Sequence, residues 1–162
     1  MSKLKLVLRE LHRSETSLAR DLFLISDRHR VDHEVFYVAR DIATWSQTHV
    51  REIAEIGRDH GARLNPEPRW HAPDKVVDLR RILSTKMGRR PEPGLLLLAD
   101  LRRLHRKAAG VSLDWELLAQ AAQAMKKKDL LDLAKRCHPQ TLRQMRWANA
   151  QLKVTSPQVI AS

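Results

Sequence analysis

Cysteine is almost missing from this chain of 162 residues. The single Cys137 excludes an internal disulfide, so stability has to come from a packed core. Glycine is scarce, at five residues, and runs of alternating β-branched residues are absent, which removes both the usual punctuation and the usual pattern of a sheet protein. No apolar run is longer than Leu95 to Ala99. That is far short of the roughly 20 residues a membrane-crossing helix needs, so with a mean hydropathy of −0.47 no membrane partner is expected. The opening MSKLKLVLRELHRSETS is charged every few residues and predicts neither a signal nor a transit peptide, so a reducing, cytoplasmic setting is expected. The length suits one domain, 1–162.

What is abundant is positive charge. Thirty Lys and Arg against 19 Asp and Glu give +11 and a pI near 10.5, a balance that suits polyanionic partners. The densest groups are Arg80, Arg81, Lys86, Arg89 and Arg90, followed by Arg102, Arg103, Arg106 and Lys107. They are the candidate surface for weak, non-specific nucleic-acid binding. A solvated basic face is the plainer account, because no base-stacking aromatic lies near these charges.

Helix is expected nearly throughout. A first helix from about Ser2 to His29 carries the stripe Leu4, Leu8, Leu11, Glu15, Leu18, Leu22, Ile25. A second follows the Asp32 N-cap with Val35, Val38, Ile42, Trp45, His49, Ile53 and Ile56 inward, and Gly61 is placed to end it. Residues 62–94 hold five of the seven prolines and one helical phrase, Asp74 to Lys86, and read as a connector able to travel the length of a helix, with Trp70 pinning it down. A third helix runs from Leu95 to about Met125 with Leu97, Leu101, Leu104, Ala108, Val111, Trp115, Leu118, Ala122 and Met125 inward. The fourth starts near Lys128, passes Pro139 and is expected to stop near Lys153, leaving a tail at 154–162. Trp45, Trp115 and Trp147 are spaced as core anchors. Two long helices, a lengthwise crossover and two more make an all-α, up-down four-helix bundle with one long crossover connection.

Two stretches, ELHRSETSLARDL around Glu15 and the ending LRQMRWANAQLKVTSPQVI, resemble the first and last helices of the ferritin-like superfamily, in particular small bacterial, stress-associated ferritin-like domains. The resemblance implies a di-iron site built from one Glu on each of two helices and a Glu-x-x-His on each of the others. Glu15 matches. His49 falls on the second stripe, but Ser46 stands where the paired Glu should be. With the turn centred near residue 30, Glu15 and His49 come within reach of each other, either as remnant metal ligands or as a buried pair that fixes helix register. The third stripe has no acid, and the fourth helix offers Cys137, Gln140, Thr141 and Gln144 instead of Glu-x-x-His.

Cys137 and His138 are ligand types, but neighbours on a helix point about 100° apart and do not share one ion. Pro139 removes an amide and crowds the Lys135 carbonyl, which His138, Gln140 or water is placed to cap. The reading is therefore a bundle without a complete di-iron site and with no cofactor expected: a non-catalytic structural or interaction module, as a homo-oligomer or with a protein partner. A metal-dependent oxidoreductase with a non-standard site and a polyanion-binding protein are the alternatives.

Overall fold

The computed structural model describes residues 2–71 and 92–162. Within them lie four helices and no strand: α1, Lys3–Arg28; α2, His33–Asp59; α3, Pro93–Ala124; α4, Lys128–Ile160. The expected helical phrase Asp74 to Lys86 lies outside the described residues, as do Arg80, Arg81, Lys86, Arg89 and Arg90.

Local chemistry sets the helix ends. Ser2 caps α1 by accepting from the Lys5 amide at 3.2 Å, and Asp32 caps α2 by accepting from Val35 N at 3.1 Å. The hairpin between them is held by the Ser26 hydroxyl, which donates to the Phe36 carbonyl at 2.6 Å. At the end of α2, Gly61 takes φ +76° while Ala62 N donates to the Gly57 carbonyl at 2.8 Å. This left-handed stop favours glycine. The α3–α4 turn repeats it with Lys126 at φ 55° and Lys127 N donating to the Ala122 carbonyl at 2.8 Å. A non-glycine residue thus holds the strained position.

All neighbouring helices run antiparallel. Asp100, early in α3, meets Arg28 and His29 at the end of α1. His60, at the end of α2, meets Asp129 at the start of α4, and Gln151 meets Glu34 at the other end. The order is therefore up, down, down, up. α2 finishes beside the start of α1, where Lys5 lies against Gly61, whereas α3 starts at the opposite end, so the intervening connection crosses the length of the bundle. Its described beginning climbs α1 in step: His12 bonds the Asn65 carbonyl at 2.7 Å, Arg20 donates to the Arg69 carbonyl at 2.6 Å, and the Phe23 ring packs at a tilt against His71. Trp70 packs against the core and donates to Glu67.

The four stripes form one core in which Leu8, Leu22, Ile53, Leu104 and Leu118 are fully buried. Several expectations need correction. Trp115 is fully buried, but Trp45 and Trp147 are only half-buried at its edge, because large rings at the seams between helices reach the surface. Met125 is 49% exposed, since α3 has already ended and turned. There is no tail from 154: α4 is continuous through Pro139 and Pro157 to Ile160. The physical reason is packing. Val159 lies so close to Gly94 that a Cβ there would meet its methyl at 2.6 Å, and Thr155 is buried. A partner for this turn offsets the one hydrogen bond Pro157 removes.

Candidate functional site

Glu15 and His49 meet at mid-bundle. Both are buried, 0% and 1% exposed, and His49 Nδ1 lies 2.9 Å from Glu15 Oε1. The same oxygen accepts from Trp115 Nε1 at 2.8 Å and from Thr141 Oγ1 at 3.2 Å. One carboxylate on α1 is thus bound to side chains on each of the other three helices. The far ring nitrogen of His49 lies 2.7 Å from Gln140 Oε1. With an oxygen of Glu15 and an oxygen of Gln140 facing its two nitrogens, the ring is placed to donate from both, an arrangement that favours the protonated form. The surroundings agree. Burial by itself would lower the His49 pKa, but the Glu15 charge and hydrogen bonds outweigh it and the net direction is up. Burial would raise Glu15, but His49, then Trp115 and Ser46, outweigh it and hold the carboxyl below its ordinary range. The His49 ring also stands edge-on to Trp115, 5.9 Å between centroids. Behind the pair, Gln144 Nε2 donates to the Ile42 carbonyl at 2.8 Å and to Ser46 Oγ at 2.9 Å.

Cys137 and His138 diverge as their spacing requires. Cys137 faces α2, where its thiol donates to Glu52 Oε2 at 3.3 Å. Burial and the adjacent carboxylate push that thiol well above its ordinary pKa, which favours the neutral thiol at pH 7. His138 faces α3, with Nε2 2.7 Å from Ser112 Oγ and its other nitrogen 3.8 Å from Glu116. The expectation that His138 or Gln140 caps the Lys135 carbonyl gives way to these contacts: Gln140 holds His49 and His138 holds Ser112.

A di-iron centre needs several carboxylates with free oxygens converging on two ions. Here the remaining positions at the level of Glu15 carry Ser46, Trp115, Thr141 and Gln144, and Glu15 Oε1 already accepts three donors. Among the described residues, no three His, Cys, Asp or Glu side chains gather where an ion could be held. The residues present do not fit such a centre.

Sequence reasoning missed a second buried charge cluster. Asp100, 2% exposed, binds His29 Nε2 at 2.8 Å and Arg28 at 3.0 Å, with Arg103 at 3.4 Å. Burial opposes its ionisation, but the His29 hydrogen bond and the two arginines outweigh that, and its pKa is lowered. The signal was available: Asp100 precedes the core residue Leu101 on the side of the helix that turns to α1. This cluster also consumes part of the basic group. Arg103 reaches Asp100 and Asp21, and Lys107 reaches Asp21 at 2.8 Å. Arg102 and Arg106 make no ion pair among the described residues.

The fold and this interior define an all-α four-helix bundle with a lengthwise crossover and a charged layer at its centre. No family model, curated protein or solved structure matches the chain.

Proposed function

We propose that this chain is a ferritin-like bundle in which a hydrogen-bonded ionic layer stands where a di-iron site would be, and that it acts as a non-catalytic structural or interaction module. The observation that carries this is the Glu15 carboxylate, which ties α1 to His49, Trp115 and Thr141 on the other three helices. The lone pairs of its Oε1 serve the fold, while Oε2 is buried without a hydrogen-bond partner among the described residues. The up, down, down, up order with one long crossover is the connectivity of ferritin-like bundles and supports the family reading. The deciding experiment is metal analysis of protein purified without chelator. The expected content is well under one equivalent of iron, zinc or copper, with His138→Ala changing stability modestly and metal not at all. Stoichiometric metal that disappears in His49→Ala or Cys137→Ser would overturn the proposal.

A further inference from the structure

α3 carries a core stripe and, on the opposite side, an exposed stripe that is basic in its first half and apolar in its second. The exposed stripe, at the same alternating spacing of four and three, passes through Arg106, Gly110, Leu113 and Leu117 and faces solvent, with Leu113 65% and Leu117 60% exposed. Gly110 adds an independent sign. A glycine inside a helix costs about 1 kcal/mol relative to alanine, yet a Cβ at Gly110 would meet nothing within 4 Å. Nothing among the described residues of one copy requires it. A glycine on this exposed stripe, next to Leu113 and Leu117, does suit the close approach of a second helix.

We infer that this face binds a second copy of the chain, with the two α3 helices antiparallel and crossing at Gly110. A twofold axis beside Gly110 sets Leu113 opposite the partner's Arg106, Leu117 opposite the partner's Arg102, and Leu95, near the helix start, opposite the partner's Ala124, so the outward stripe matches itself over the full length of α3. The charges select the same arrangement. Arg102 and Arg106 lie in the first half of α3, without an ion pair among the described residues. The second half borders a groove of about 500 Å³ between α1 and α3, lined by Leu6, Glu10, Arg13, Asp114 and Leu117 among others. Antiparallel pairing lays the arginine stems over the leucines and brings their heads to Glu10 and Asp114 of the other copy. Parallel pairing would set arginine against arginine. A helix face about 48 Å long and about 10 Å wide buries about 500 Å² per copy, near the lower limit for specific association, so the dimer is expected to be micromolar. This names the partner that the interaction-module reading leaves open and rests on that reading for its role only. Metal stoichiometry decides the one and association the other.

Sedimentation velocity on the full chain over a concentration series is the test. The expected result is reversible passage from 18.7 kDa to twice that mass. Gly110→Trp projects into open space in the single copy and into the partner in the dimer, so it should weaken association at least about tenfold while leaving the helical spectrum unchanged. Arg106→Glu should weaken it, and adding Asp114→Arg should restore it. Tyr37→Arg, on the exposed side of α2, should have no effect. A chain that stays monomeric into the hundreds of micromolar, or a dimer indifferent to Gly110→Trp, or one broken by Tyr37→Arg, would overturn the inference, and the face would then belong to another occupant.

Discussion

Replacing Glu15 by Leu removes the anion from a buried pair and leaves the rest of the layer facing an apolar side chain. At the 2.9 Å separation of His49 Nδ1 and Glu15 Oε1, two unit charges in a medium of effective dielectric about 20 attract by about 6 kcal/mol. Most of that gain is offset by the desolvation of both groups. Removing one partner exposes the uncompensated half, which costs about 3–5 kcal/mol. Trp115 Nε1 and Thr141 Oγ1 also lose their acceptor. For a domain of this size such a loss lowers Tm by about 6–20 °C. His49→Leu is expected to cost a similar amount, because it leaves a carboxylate at 0% exposure without a counter-charge. The double variant Glu15→Leu with His49→Leu removes both charges and should cost no more than either single change, a coupling of about 3 kcal/mol. Urea denaturation followed by circular dichroism measures all four proteins. If the two single changes add within about 0.5 kcal/mol, the charges do not interact and the account of the layer is wrong.

Because the folded His49 pKa lies above 6.5, its contribution is complete below pH 6.5 and declines as pH rises through the folded value; because the folded Glu15 pKa lies below 4.5, its contribution is complete above pH 4.5 and declines as pH falls through the folded value. The contribution of the pair is therefore full between pH 4.5 and 6.5. In His49→Leu, burial dominates Glu15, so that variant should gain stability on acidification from neutrality, as urea midpoints across pH will show; a variant that loses stability there contradicts the assignment. Lys126→Gly relieves the left-handed turn at φ 55° and should stabilise the protein by about 0.5–1 kcal/mol, read as a higher urea midpoint with unchanged slope. DNA retardation in a gel should be weak, indifferent to sequence and lost by physiological salt, since Arg103 and Lys107 are already committed to Asp100 and Asp21; a salt-resistant, nanomolar complex would contradict this.

The bundle was legible because burial leaves a period. Each core stripe repeats at four and three residues, and each is closed by a capping residue or an abrupt change of composition, so α1 and α2 were placed within a residue of their ends. What failed depends on contacts between distant segments. The Thr-Ser-Pro at 155–157 reads as a stop when seen alone. It is helix because Val159 rests on Gly94, a contact that exists only once α3 and α4 have paired. Trp45 and Trp147 are apolar enough to be placed inside, but their seam positions follow from the angles between helices, which no stripe encodes.

The site divides along the same line. Glu15 and His49 stood out because each puts a polar group on an apolar stripe. Trp115 did not, since a tryptophan on a stripe looks like core, and Gln140 and Thr141, although they fall at the level of the site, are neutral groups that carry no sign of their partners. Yet those neutral donors and acceptors are what allow a carboxylate and an imidazolium to sit at 0% and 1% exposure. They also make the layer a device for register. A slip of α2 by one heptad would set Glu15 against Ile42 or Ile56 in place of His49 and leave an unpaired charge in the core, at a cost of several kcal/mol. Leucines tolerate such a slip because one leucine packs much like another. The charged layer opposes it, and a buried, hydrogen-bonded pair of this kind contributes that specificity more than net stability.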